Sequence, residues 1–303
     1  GKSWRPDWGH DIPLVKEGAE AEQAVAEAQK KTTSRQELAR NKNFEQISPE
    51  VGELDESAVE DAMNEDADET LTLLADLVSA TDPKLRELAR RLAGRLMLDV
   101  SRRGKAKPRG IGKLAKQKYR PDGGDIDIDA SMDAIVESRA AKESVDPDGL
   151  YLRGWVKPHT ALCLMVDRSG SMGGKPLATS AVAAASVAWR SPDDYSVLAF
   201  GNDVVVAKSQ DVPKAGERVV NDVLSLKGFG TTDLAGALLT AANQLSRTSA
   251  GRKVAILLSD CRSTVDGDPV AAAKGLDELI IIAPAGDDEE AKAFAARTGA
   301  RLV

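Results

Sequence analysis

The chain has 303 residues, enough for about two domains, with 41 Lys and Arg against 48 Asp and Glu and a net charge of −7. That balance argues against nucleic acid as the main partner, because phosphate binding needs a basic face. Aromatics are only 4% of residues, so any core is filled by Leu, Val, Ile and especially Ala.

The opening segment, GKSWRPDWGHDIPLVKEG, has no apolar stretch of the signal-peptide kind. Nowhere does an apolar run reach the roughly 18 residues that a membrane span requires. Residues 53 to 69 are strongly acidic, and TLTLLADLVS (70–79) reads as a short helix. Thr81-Asp82-Pro83 offers an N-cap followed by proline at the first helical position. Leu85, Leu88, Leu92 and Leu96 then form one apolar stripe at helical spacing. From Arg102 to Arg120 the chain is basic, lacks acidic residues and holds several glycines, which reads as an exposed, flexible connector. In GGDIDIDAS (123–131) the carboxylates of Asp125, Asp127 and Asp129 hint at calcium. An EF-hand needs Gly at Ala130 and Glu at Val136, so a short alternating strand running into a helix N-cap is the better reading. His159 is expected in a loop.

From there the grammar changes to short apolar runs alternating with helical patterns, the signature of a parallel α/β sheet. ALCLMV (161–166) is a buried strand ending at Asp167, and residues 175–190 form an Ala-rich helix. YSVLAF (195–200) and VVVAK (204–208) are strands parted by the turn signal Gly-Asn-Asp. Helical spacing covers 213–226 and 233–246. KVAILLS (253–259) is a second apolar strand, ending at Asp260. A helix (268–276), a strand (279–284), a helix (287–298) and a terminal strand, ARLV, follow. Strands apolar throughout are buried on both faces, as in a doubly wound, mostly parallel sheet flanked by helices. Cys163 and Cys261 fall in a buried strand and a strand end. No disulfide framework is suggested, and a reducing, cytoplasmic setting is the expectation.

The chemistry lies in DRSGSMGG (167–174). Asp167 ends the first buried strand, at the carboxyl edge where open α/β sheets place their ligand sites. Ser169 and Ser171 alternate with it, so a tight loop can turn one carboxylate and two hydroxyls toward one point. Gly170, Gly173 and Gly174 supply the backbone freedom. Hard oxygen donors suit Mg²⁺, with Mn²⁺ or Ca²⁺ as alternatives, better than zinc. The Gly-Lys in this loop lacks the spacing of a phosphate loop, and Pro176 stands where that motif has a hydroxyl. Ser171 is not in a G-x-S-x-G elbow, and neither His10 nor His159 is placed as its base.

This D-x-S-x-S pattern resembles the metal-ion-dependent adhesion site (MIDAS) of von Willebrand factor A (VWA) domains. GFGTTDLAGAL (228–238) is similar to that family's Gly-Gly-Thr-Asp-Leu loop, and LLSDC (257–261) to the strand end that presents a second aspartate. The resemblance implies metal ligation by Asp167, Ser169, Ser171, Thr232 and Asp260. Gly230-Thr231 replaces the usual glycine pair, which leaves Thr231 or Thr232 open as the ligand, Thr232 being favoured because it precedes Asp233. One of the two threonines could instead cap the helix that follows. Ser259-Asp260-Cys261 replaces a common Thr-Asp-Gly, so the turn there is expected to differ.

The resemblance implies metal-bridged protein binding, with a partner carboxylate completing the ion's shell and no catalysis. The lead-in GGDIDIDASMDAIVESRA and YLRGWVKPHTALCLMVDRSGSM resembles intracellular bacterial VWA proteins that work with MoxR-type AAA+ ATPases, the CoxE-like proteins and more distantly the magnesium chelatase D subunit. An adaptor between an ATPase ring and a target, in protein remodelling or metal insertion, is what this implies. A stand-alone adhesion or scaffold module is the alternative, with a metal-dependent hydrolase further behind. The expected organisation is a helical, partly extended region (1–101), a basic linker and lead-in (102–159), and the metal-binding domain (160–303).

Overall fold

The computed structural model describes residues 14–103, 113–119, 125–156, 159–168, 175–226, 231–284 and 288–303. Of these, the residues up to 103 and from 160 onward form one compact unit, and those between 113 and 159 form another. No described helix is long and apolar enough to cross a membrane.

The larger unit opens with a short strand, β1 (Val15–Lys16), and helices α1 (Ala19–Ala28), α2 (Arg35–Leu38), α3 (Phe44–Ile47), α4 (Glu56–Glu65), α5 (Ala67–Leu77) and α6 (Pro83–Arg103). The acidic stretch is two helix starts. Asp55 accepts the backbone N–H of Ser57 and Ala58 at the head of α4, and Asp66 accepts that of Glu69 at the head of α5. Asp82 caps α6 in the same way, taking the N–H of Lys84 at 2.8 Å and of Leu85 at 3.0 Å. A carboxylate there satisfies orphan donors and opposes the helix dipole.

In the smaller unit, β2 (Lys113–Lys118), β3 (Asp125–Ile126), α7 (Ile128–Ala141) and β4 (Tyr151–Val156) form an antiparallel sheet of order β2-β4-β3 with one helix. The expected flexible connector is therefore corrected in part, since Lys113 to Lys118 pair in register with Val156 to Tyr151. Lysines on an edge strand discourage further strand pairing. Asp127 caps α7 through the N–H of Ala130, as the strand-then-cap reading expects.

The sheet of the larger unit contains β5 (Thr160–Asp167), β6 (Tyr195–Phe200), β7 (Val204–Lys208), β8 (Arg252–Leu258), β9 (Glu278–Ile282) and β10 (Arg301–Leu302). Its order is β1-β7-β6-β5-β8-β9-β10, and β5, β6, β8, β9 and β10 run parallel. Strand β7 returns antiparallel to β6, and β1 pairs with it in parallel. Helices α8 (Lys175–Arg190), α9 (Gly216–Ser225), α10 (Leu234–Ser246), α11 (Pro269–Ala273) and α12 (Glu289–Thr298) complete the unit.

Packing explains the alanines. Ala184, Val187 and Ala188 of α8 join the cluster against the sheet, while Ala178, Ala181 and Ala185 join the cluster with α4, α5 and α6. Helix α9 is divided likewise, with Val219 and Val223 toward the sheet and Val220 and Leu224 toward the N-terminal helices. A helix covered on two sides carries small apolar residues all round instead of a single stripe. On the other sheet face α10, α11 and α12 cover Cys163, Met165, Leu257 and Ile281. The N-terminal helices are thus a further layer sharing a core with α8 and α9.

Candidate metal site

Strands β5 and β8 are adjacent and parallel, so both end at the same edge of the sheet. Asp167, the last residue of β5, lies opposite Phe200 of β6, and Val166 lies opposite Leu258 of β8. The next residue after β8, Ser259, is thereby beside Asp167. Its hydroxyl donates to Oδ2 of Asp167 at 2.6 Å. Asp167 is only 2% exposed, so the hydrogen bond fixes a carboxylate held largely out of water. Asp260, one residue further and 9% exposed, accepts the backbone N–H of Arg262 on Oδ1 at 3.0 Å. Two aspartates are therefore presented from neighbouring strand ends.

The turn after Asp260 departs from the family's sequence but keeps a glycine-like backbone. Cys261 has φ of 64°, the left-handed region that favours glycine. Its N–H donates to Ser259 Oγ at 3.0 Å, so one serine hydroxyl joins the turn to Asp167. Burial, and then the charges of Asp260, Asp167 and Glu290, push the Cys261 thiol up to about 12.

The threonine loop is tied to the same turn. Thr232, 3% exposed, donates its N–H to Thr264 Oγ1 at 2.7 Å, and its carbonyl accepts the N–H of Thr264 and the hydroxyl of Ser263. Its own hydroxyl makes no hydrogen bond among the described residues. Thr231 is exposed and donates to Asn202 Oδ1 at 2.9 Å. Neither threonine caps the helix that follows, because Asp233 takes that role through the N–H of Gly236 at 2.8 Å.

Of the residues expected at the site, Asp167 and Asp260 come together at one sheet edge, with the Thr232 loop hydrogen-bonded to the segment after Asp260. Ser169, Ser171, Gly170, Gly173, Gly174 and Gly230 lie outside the described residues. His159 sits in the loop before β5. Sequence reasoning missed Ser259 and Thr264 as supports. Ser259 stands where the family pattern has threonine, and the hydroxyl common to both side chains was the available signal. Two carboxylates and a hydroxyl are the oxygen donors that a Mg²⁺-like ion takes, so the residues described here fit such an ion.

An open, doubly wound sheet with a polar cluster at its carboxyl edge defines a class of α/β binding domain. Residues 162–262 match the family model of the von Willebrand factor type A domain, and the mostly parallel sheet flanked by helices is a fold of that kind. No curated protein matches the sequence. Among solved structures it is similar to the manganese-loaded TRAP protein of Plasmodium vivax, at 18% identity and TM-score 0.38 over 48% of this chain and 64% of that one. A von Willebrand factor type A protein from Catenulispora acidiphila is similar at 16% identity and TM-score 0.39, over 49% of this chain and 39% of that one. An aerotolerance-related membrane protein of Bacteroides fragilis is similar at 12% identity and TM-score 0.37, over 48% and 90%. The chain spans less than two thirds of the length of the first two.

Proposed function

We propose that this chain binds a partner protein through a divalent cation, Mg²⁺ foremost, held by Asp167, Ser169, Ser171, Thr232 and Asp260. The observation that carries this reading is the buried Asp167 carboxylate, oriented by Ser259 and set beside Asp260 on the neighbouring strand end. Both carboxylates lie at one edge of the sheet, where their oxygens are the hard donors a divalent cation takes. Thr232 brings a buried hydroxyl on a loop fastened to the same turn. When bound, the ion supplies an open coordination position that a partner's carboxylate completes.

The protein's own part is positioning. Ser259 holds the rotamer of Asp167, and the hydrogen bonds from Ser263 and Thr264 hold the threonine loop. The site as described offers no general base beside a nucleophile, and the reading is of binding without turnover. The partner class we assign is a MoxR-type AAA+ ATPase ring, with the chain as an adaptor in protein remodelling or metal insertion. This rests on the resemblance of the lead-in segment.

The test is a pull-down from source lysate with wild type and Asp167→Ala, each with Mg²⁺ and with EDTA. An AAA+ ATPase retained only by wild type in Mg²⁺ supports the reading. Equal retention in all four conditions overturns the metal contact with that partner, and no ATPase in any lane overturns the adaptor role. A parallel Mn²⁺ titration by calorimetry isolates the ion: wild type binds it and Asp167→Ala does not.

A further inference from the structure

The turn between β6 and β7, Gly201-Asn202-Asp203, is bonded to Arg168 after β5, to Thr231 and Asp233 ahead of α10, and to one element from outside that edge. The Gly201 carbonyl accepts the N–H of Asp233 at 2.8 Å. Asn202 accepts the hydroxyl of Thr231. Asp203 pairs through Oδ1 with the Arg168 guanidinium and through Oδ2 with Lys16 Nζ, the latter at 2.8 Å. Arg168 directly follows Asp167 and has its backbone N–H on the Phe200 carbonyl at 2.8 Å. Lys16 belongs to β1, whose pairing with β7 spans only two residues, and Val204 N–H reaches back to the Leu14 carbonyl at 3.0 Å.

One carboxylate thus holds the residue next to Asp167 with one oxygen and the N-terminal strand with the other. The Arg168 side chain is mostly enclosed, and its Nε is buried without an acceptor among the described residues. Its guanidinium pairs with Asp203 through Nη2, which also reaches the Asp203 carbonyl at 3.3 Å. A two-residue ladder is weak by itself, so the docking of β1 leans on side-chain anchors of this kind.

We propose that Asp203 is a positioning residue that couples ion binding beside Asp167 to the docking of the N-terminal strand on β7. The inference rests on the metal-site reading above. An ion held by Asp167 restrains Arg168, the next residue, and through it the Asp203 carboxylate, and a restrained carboxylate holds Lys16 better. By linkage the docked strand then favours the ion to the same degree.

The experiment uses the full chain as wild type, Asp203→Asn and Asp167→Ala, with Mn²⁺ as the probe. Mn²⁺ affinity is read by calorimetry, and strand docking by amide exchange of residues 15–17 and of Val204. Asp203→Asn keeps the shape and removes the charge, and amide exchange elsewhere in β5 and β8 reports whether the fold is intact. In wild type, Mn²⁺ is expected to slow exchange of the β1 and Val204 amides at least about fivefold, the low end of ordinary site–site coupling. Asp203→Asn is expected to bind Mn²⁺ about tenfold more weakly, the lower bound for loss of a group that orients metal ligands, and to lose that protection. If wild type and Asp203→Asn bind Mn²⁺ alike, or if Mn²⁺ leaves the β1 amides unchanged in wild type, the coupling is overturned and the metal site stands. If wild type takes up no Mn²⁺, the metal reading falls and the coupling with it.

Discussion

Ser259 and Asp167 stand side by side at the ends of two parallel strands, joined by a 2.6 Å hydrogen bond from the serine hydroxyl to Oδ2. The same hydroxyl accepts the N–H of Cys261 at 3.0 Å. A single oxygen therefore sets both the aspartate and the turn that follows the second aspartate. Ser259→Ala leaves a buried carboxylate oxygen and a backbone N–H without this partner, at about 1–3 kcal/mol. It is expected to weaken Mn²⁺ binding about tenfold while the fold persists, because groups that orient metal ligands contribute at that level. Ser259→Thr keeps the hydroxyl and is expected to bind as wild type does. Calorimetric Mn²⁺ titration of the two variants checks this, and an alanine variant with wild-type affinity would show that Asp167 is oriented by something else.

Cys261 carries a side chain in left-handed backbone, with φ of 64°. An L residue there is strained by about 1–2 kcal/mol relative to glycine, whereas in an ordinary helix or strand glycine is the less stable of the pair with alanine. The order of stability at this position is therefore expected to invert, Cys261→Gly unfolding at higher denaturant than Cys261→Ala by about 1 kcal/mol. Comparing the two variants with each other cancels the loss of the buried thiol. Urea denaturation followed by circular dichroism measures the difference, and an alanine variant as stable as the glycine variant would mean the turn relaxes out of the left-handed region.

Much of the fold was legible because the sheet is buried on both faces. ALCLMV and KVAILLS read as strands ending at Asp167 and Asp260, and these are β5 and β8 with the two aspartates at one edge. Asp82-Pro83 read as a helix start, and Asp82 caps α6. What escaped was structure built without an apolar pattern of its own. The run 53–69 reads as charge, although Asp55 and Asp66 in it are N-caps. KLAKQK reads as a basic connector because its lysines hide the period of an edge strand, and only the pairing with β4 reveals it. Strand β1 has two residues and is fixed by Lys16–Asp203 and Glu17–Arg247, partners far along the chain that no local window contains. Ser259 was missed as a support for the same reason, since its partner Asp167 lies on another strand.

The N-terminal helices and the sheet are expected to unfold together. Leu74 of α5 is fully buried in a cluster that also holds Leu177 and Ala181 of α8 and Leu224 of α9. Those helices present their other faces to the sheet. Leu74→Ala removes a core side chain where little can collapse into the space, at about 2–5 kcal/mol. The effect is expected in the exchange of the slowest amides of β5 and β8 as well as in α5. Site-resolved hydrogen exchange measures it, and loss of protection confined to residues 56–103 would show that the helical layer opens by itself.

Lys208 gives a pH dependence of defined sign. It is 3% exposed, and its Nζ donates to the carbonyls of Tyr195 at 2.6 Å and Ser209 at 3.0 Å. Burial holds its pKa down at about 8, with Lys214 adding to the effect and Asp194 and Asp211 opposing it. A lysine depressed in the folded state binds its proton less readily there than in the unfolded chain, whose value is about 10.4. Below pH 8 both states are charged and the whole penalty of burying the ammonium is present. Between about 8 and 10.4 the folded chain has released the proton that the unfolded chain still binds, so stability rises with pH through that window. The full gain is about 3 kcal/mol. Tyr195, whose ring lies 4.2 Å from Nζ, is pushed up to about 12 by burial and stays neutral throughout. In Lys208→Met the rising limb disappears. At pH 7 relief from the buried charge is offset by the loss of the hydrogen bonds to the Tyr195 and Ser209 carbonyls, the latter keeping the N–H of Val212, at about 1–3 kcal/mol together, so the variant is expected near wild type there and less stable by about 2 kcal/mol at pH 10. Urea unfolding of both proteins at pH 7, 8, 9 and 10 gives the difference directly, the other titrating groups cancelling between them. A difference constant across the window would show that Lys208 keeps its proton and that its two carbonyl partners outweigh its burial.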